Sequence, residues 1–248
     1  MPRTSDPRPR IIIEGVRKTY RLQHTQSFKE TFVAWIQRKR ISTSFEALDE
    51  IDITVGEGES IALLGYNGSG KSTLLKLVSG VLRPDAGRVL TRGRVAGLIE
   101  VGAGFHPDLS GRENVYLNAA ILGMSKDEID AKFDEIVEFS EIGEFIDTEV
   151  KHYSSGMFVR LAFSVAIHTS LDILLVDEVL AVGDAPFREK CKAKIRELVA
   201  AEKTLFIVSH DLGMVSDLCS RGIVLRRGRM VFDGEIATAI ETLKASKR

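Results

Sequence analysis

Gly65-Tyr66-Asn67-Gly68-Ser69-Gly70-Lys71-Ser72-Thr73 is the stretch that decides how this chain is read. Its G-x-x-x-x-G-K-S spacing satisfies a phosphate-binding loop residue by residue. A polyphosphate brings several negative charges to one place. Gly65, Gly68 and Gly70 allow the tight backbone turns that bring successive N–H groups against its oxygens. Lys71 adds a mobile positive charge toward the terminal phosphates, and the Ser72 hydroxyl is placed to ligate Mg²⁺. Before the loop, Ser60-Ile61-Ala62-Leu63-Leu64 is a short apolar run of buried-strand type. After it, Thr73 to Val78 has helical spacing that ends near Gly80. Strand, glycine loop and helix thus follow in the order that puts a helix N-terminus against the phosphates, which a glycine-rich turn with an incidental lysine does not require.

The rest of the composition sets bounds. The chain has 248 residues, of which 44% are hydrophobic, enough to bury a sizeable core. Lys and Arg number 34 against 35 Asp and Glu, a balance that argues against a generic nucleic-acid binder. Cys191 and Cys219 are too far apart for a metal knuckle and read as reduced thiols. No apolar run is long enough to cross a bilayer, and the Pro/Arg-rich start, residues 1–10, reads as a disordered leader rather than a signal peptide.

Outward from the loop, Ile11 to Val16 reads as a strand with Tyr20 just beyond its end. There the ring is either an adenine-stacking surface or an amphipathic edge residue. Residues 21–46 interrupt the expected strand connection. Phe28, Phe32, Trp35 and Ile36 recur at helical spacing and Arg38-Lys39-Arg40 follow, a pattern that suits a membrane or membrane-protein interface as well as packing on the domain itself. Ala47 to Val55 alternates as a half-buried strand. A turn at Arg83 to Gly87 leads to strands at Arg88 to Leu90 and Arg94 to Glu100, and then to a glycine-containing loop. The pattern turns helical from about 108 to 168. Ser110 with Glu113 and Ser125 with Glu128 form capping boxes that open two helices, and Tyr153-Ser154-Ser155-Gly156-Met157 precedes a helical run from Phe158 to Ile167.

A second nucleotide element lies at Leu171 to Glu178, where four apolar residues end in adjacent carboxylates. Such a strand carries Asp177 to the metal and Glu178 to the γ-phosphate side. Gly183-Asp184 form a loop, Pro186 to Ala201 a helix, and Thr204 to Ser209 a strand ending in His210. A lone histidine is more often structural, yet one at a strand C-terminus faces the crevice where open α/β sheets bind ligands, so both readings of His210 stand at this point. Gly222 to Phe232 reads as a hairpin, with a short helix through Leu243.

In order and rough spacing these elements resemble an ATP-binding-cassette ATPase over residues 11–243. The resemblance implies a single cassette over 11–248: a RecA-like α/β core with an inserted helical subdomain and an antiparallel β portion, binding ATP and Mg²⁺. It implies that Tyr20 stacks on adenine, that Gly65 to Thr73 hold the phosphates, and that Ser72 and Asp177 ligate the metal. Glu178 is then the general base, Asp184 the aspartate of the following loop, and His210 the histidine on the γ-phosphate. Ser154, Ser155 and Gly156 stand where the family signature Leu-Ser-Gly-Gly-Gln stands and would touch the ATP of a second copy, so a homodimer is implied. Glu100 stands where the family has a metal-ligating glutamine.

The altered signature, Glu100 and the 21–46 insert are similar to the subgroup that energises bacterial polysaccharide export (O-antigen, capsule, teichoic acid). That similarity implies a separate transmembrane permease and a peripheral position on the cytoplasmic face of the inner membrane. Some members carry a carbohydrate-binding domain after the cassette, which is not expected in a chain ending at Arg248. The rival expectations are an importer ATPase, which calls for a glutamine in place of Glu100 and no aromatic insert, or a soluble non-transport cassette, which calls for a long coiled coil or a tandem cassette.

Overall fold

A computed structural model describes residues 9–23, 42–98, 102, 104–177 and 183–245. In chain order its elements are β1 (Ile11–Gln23), β2 (Ser42–Val55), β3 (Ser60–Leu64), α1 (Lys71–Val78), β4 (Ala86–Thr91) and β5 (Val95–Gly97). Then come α2 (Gly111–Ile121), α3 (Lys126–Ser140), two short 3₁₀ turns, α4 (Ser155–His168), β6 (Ile173–Val176) and α5 (Ala185–Ala200). The order closes with β7 (Thr204–Ile207), α6 (Leu212–Leu218), β8 (Arg221–Arg226), β9 (Arg229–Glu235) and α7 (Ile236–Ala245).

Two sheets form. One is antiparallel in the order β2-β1-β4, and the other is six-stranded in the order β5-β6-β7-β3-β8-β9, parallel except for β9. All five residues of β3 are buried, as the uninterrupted apolar run requires of a strand covered on both faces. Alternation divides them. Ile61 and Leu63 face a cluster with Ile11, Ile13, Leu48, Leu74 and Leu75, while Ala62 and Leu64 face one with Phe163, Leu174, Phe187 and Val215. The antiparallel sheet and α1 therefore cover one side of the parallel sheet, and α4 to α7 the other. A third cluster, including Val115, Ile129, Ile136, Leu161 and Val165, holds α2, α3 and α4 to one another.

Local signals set the helix starts. Both capping boxes form: Ser110 Oγ accepts from Glu113 N and Ser125 Oγ from Glu128 N, with each glutamate returning to the cap N–H.

Four expectations need correction. β1 does not stop at Val16 but continues to Gln23, so Tyr20 lies within the strand, opposite Phe45. Register shifts between Ile13 and Thr19, beginning at Gly15 with φ 55°, break the two-residue alternation and hide the continuation. Residues 21–23 and 42–46, expected in the insert, pair as β-ladder. The helix expected from Phe158 begins at Ser155, because Ser154 is its N-cap. The strands expected to reach Glu100 and Ser209 end at Gly97 and Ile207. Phe28, Phe32, Trp35 and Ile36, like the leader 1–8, lie outside the described residues. Among the described residues no helix is long and apolar enough to cross a membrane.

Candidate functional site

The site is built where the middle strands of the parallel sheet end. β3 lies between β7 and β8, and β7 between β3 and β6, so the segments leaving β3, β6 and β7 emerge side by side at one edge. Crevices outside strand C-termini are where open α/β sheets take ligands.

The loop leaving β3 is held from below by backbone. Ser69 N donates to Tyr66 O at 3.0 Å, Gly228 N to Ser69 O at 3.0 Å, and Asp49 N to Gly228 O at 2.8 Å. The β8–β9 turn thus ties the loop to β2. A Cβ at Gly65 would lie 2.6 Å from Leu225 O and also strike Ser69 Oγ. Gly70, at φ 108°, caps α1 with no side chain, and a Cβ there would come within 2.6 Å of Ala47 O and 2.8 Å of Leu48 Cδ2. Only glycine takes that conformation in that space. The consequence for α1 is an N-terminus with no side-chain cap and no acidic residue in its first turn. Its outward N–H groups and dipole favour an anion.

Lys71 is 7% exposed, and its ammonium donates to Gly65 O at 2.7 Å and Tyr66 O at 3.3 Å. The cation is folded over the loop's own carbonyls and remains within reach of whatever the loop holds. Ser69 Oγ is buried without a hydrogen-bond partner. A buried hydroxyl left so costs about 1–3 kcal/mol unless a ligand or water completes it.

Above the loop lies a cavity of about 380 Å³ lined by Asn67 to Thr73, Ala47, Phe45 and Asp177. Asp177 is the first residue beyond β6, so the strand brings its carboxylate to the same cavity as Lys71, Ser72 and Thr73. Phe45 is 49% exposed. It was not among the expected residues, because its place depends on pairing across β1 and β2. Tyr20, 37% exposed, is its cross-strand partner on the same face of the ladder but does not line the cavity.

His210 lies three residues past β7, in a neighbouring cleft of about 250 Å³ shared with Gly65, Tyr66, Leu243 and Lys244. The Tyr66 hydroxyl donates to Leu243 O at 3.0 Å, binding the loop to the end of α7. Ser154 and Ser155 are exposed and Gly156 is half-buried at the start of α4, and none of the three lines either space. Ser154 Oγ accepts from Met157 N at 3.2 Å, and a Cβ at Gly156 would meet nothing nearer than Ser154 Oγ at 3.8 Å. Asp184 caps α5, accepting from Phe187 N at 3.2 Å and from Arg160 at 2.9 Å. Glu100 and Glu178 lie outside the described residues. Cys191 and Cys219 line neither space, and burial pushes both thiols up to about 12.

Comparison with known proteins follows this geometry. The family described as ABC transporter matches residues 48–181. The chain is 45% identical over 227 residues to the ABC transporter protein AbcA of Aeromonas salmonicida, covering 92% of this chain and 73% of that one. It is 45% identical over 226 residues to the O-antigen export system ATP-binding protein RfbB of Myxococcus xanthus, covering 88% of this chain but only 51% of that protein. With the teichoic acids export ATP-binding protein TagH of Staphylococcus epidermidis it shares 39% identity over 235 residues, 95% of this chain and 88% of the relative. In fold it is similar to the ATP-binding cassette MJ0796, solved as a dimer in a post-hydrolysis state bound to ADP and Pi, with TM-score 0.71 and 22% identity over 91% of this chain and 98% of that one. A phosphate loop matching at every required position, a carboxylate delivered to it by a neighbouring parallel strand, and these likenesses make the chain a member of the ABC transporter family, as one of its ATP-hydrolysing cassettes.

Proposed function

We propose that this cassette drives export of a cell-surface polysaccharide, working as a homodimer at the cytoplasmic face of the bacterial inner membrane through a separate transmembrane permease. The observation that supports the site's part in this is the single cavity shared by Lys71, Ser72 and Asp177. The glycan rests on the similarity to O-antigen and teichoic acid export proteins and on the sequence features shared with that subgroup.

In this reading the ATP phosphates lie along the backbone N–H groups of Asn67 to Thr73, and Lys71 exchanges loop carbonyls for phosphate oxygens. Ser69 Oγ, unpartnered and buried, gains a phosphate acceptor in the same step. Tyr20 and Phe45 offer ring surface to the adenine. A hydroxyl and a carboxylate on one cavity wall are hard oxygen donors suited to Mg²⁺, which ordinarily takes one or two protein oxygens and completes its shell with phosphate and water. Bound there by Ser72 and Asp177, the ion would neutralise charge on the β- and γ-oxygens. Glu178 orients or deprotonates the attacking water and His210 addresses the γ-phosphate. Glu100 would help hold the metal or its water. Asp184 takes part from the loop that follows. The α4 start, Ser154 to Gly156, closes on the nucleotide of the second copy, head to tail, and completes the charge clamp.

Deletion of the chain in its own host tests the export reading. Surface polysaccharide should be lost and its precursor should accumulate inside, with rescue by the wild-type chain and not by Lys71→Ala. Undiminished surface polysaccharide in the deletion strain would overturn it.

A further inference from the structure

The second residue of the phosphate loop is tied to the far end of α7. Tyr66 Oη donates to Leu243 O at 3.0 Å across 177 residues of sequence. Leu243 lies in the final turn of α7, and the last four carbonyls of a helix have no donor within it. The tyrosine hydroxyl therefore caps that end and meets its negative dipole. The ring, 39% exposed, stands between two clefts of about 250 Å³, and Tyr66 and Leu243 line both. Water can serve either group there, so the bond selects a position for the ring rather than rescuing a buried atom. α7 is a firm base for such a tie. Ile236 and Ala239 are buried, and Ile236 N donates to Ser220 O at 3.2 Å. A Cβ on Gly222 of β8 would lie 2.5 Å from Ala239 Cβ, so glycine lets the helix rest directly on the strand beside β3. The first turns of α7 are fixed to the sheet, while Lys244 and Ala245 are exposed.

What the tie holds is the first turn of the loop. Tyr66 O accepts from Ser69 N at 3.0 Å, with Gly68 at φ 77° in the third position of that turn, where a positive φ favours glycine. Ser69 O in turn accepts from Gly228 N at 3.0 Å. The turn is thus pinned at Ser69 by the β8–β9 hairpin and at Tyr66 by α7, with Asn67 and Gly68 exposed between them. The same Tyr66 carbonyl accepts from Lys71 Nζ at 3.3 Å. A shift at the end of α7 would move Tyr66, and with it both the turn and one of the carbonyls on which the Lys71 cation rests.

We infer that Tyr66 is a positioning residue for ATP binding and that the last turn of α7 controls it. With the hydroxyl latched, the loop is held ready for the phosphates; displacing the Leu243 carbonyl lowers ATP affinity and leaves the hydrolytic step as it was. The inference rests on the loop's holding the ATP phosphates, which Lys71→Ala tests separately.

The test reads ATP affinity by calorimetric titration, kcat at saturating ATP and the melting midpoint, all on the full chain. Tyr66→Phe keeps the ring and the backbone contacts and removes the latch. Lys244→Pro reaches the same link from the other side, because proline disfavours helical backbone at the residue before it and so displaces the Leu243 carbonyl. Each should weaken ATP by about threefold to tenfold, the span of one hydrogen bond's net worth, with kcat within about twofold. The double variant should fall no further than the weaker-binding single, since both break one link. Lys244→Ala, which keeps the helix, should bind as the wild type does. Unchanged or tighter binding in Tyr66→Phe, whatever its melting midpoint, would overturn the proposal. So would losses that multiply in the double variant, or a loss in Lys244→Ala as large as in Lys244→Pro. Wild-type affinity in Lys71→Ala would instead sink the reading of the loop itself.

Discussion

Phe45 stands directly across from Tyr20 in the β1–β2 ladder, and it is Phe45 whose ring borders the cavity over the phosphate loop. In the proposed reading, these two exposed aromatics on one face of the ladder would offer a stacking surface to the base. The nearer ring should carry more of it. Phe45→Ala should therefore weaken ATP by about 1–3 kcal/mol, the worth of one stacked base, and Tyr20→Ala by less. Phe45→Trp should preserve affinity because it keeps a π face. Calorimetric titration decides the matter, and unchanged affinity in Phe45→Ala would return both rings to a role at the sheet edge.

The link between Tyr66 and Leu243 gives a second expectation. A hydroxyl on a partly exposed ring donates to a carbonyl in the last turn of α7. Tyr66→Phe should lower stability by about 0.5–1.5 kcal/mol, the net worth of one hydrogen bond. Urea unfolding with an unchanged slope would show this, and a loss several times larger would mean that the ring rather than the hydroxyl holds the loop.

Glu128 gives a pH dependence. Its carboxyl is held down to about 2, chiefly by the Arg94 guanidinium and then by the Ser125 backbone N–H. A carboxylate with a depressed folded value stabilises the fold above its ordinary value of 4.5, and loses that contribution as pH falls through about 2. The stability gap between wild type and Glu128→Gln should be full at neutral pH and shrink between about 4.5 and 2. A gap constant across that window would contradict the assignment.

How much of this was readable depends on distance along the chain. The capping boxes at Ser110 and Ser125 were legible because cap and partner lie three residues apart. The phosphate loop and β3 were legible for the same reason, since motif, strand and helix are contiguous. Tyr20 was misplaced because bulges beginning at Gly15 erased the period that marks a strand. The α4 start was read late because Ser154, as a cap, has extended backbone and looks like loop. Phe45 and the contact of Tyr66 with Leu243 could not be found at all from local pattern. One depends on register across two strands, the other on a carbonyl 177 residues away that tertiary packing alone brings to the loop.

Nucleotide turnover by Glu178→Gln is the measurement that tests the account most directly. The amide preserves shape beside Asp177 but does not act as a base, so ATP affinity should stay within about threefold while turnover falls by at least about a hundredfold. ATP should then hold two copies together long enough to appear as a dimer on a sizing column, as a head-to-tail pair that cannot hydrolyse must. Hydrolysis at the wild-type rate, with no ATP-dependent dimer, would contradict the account.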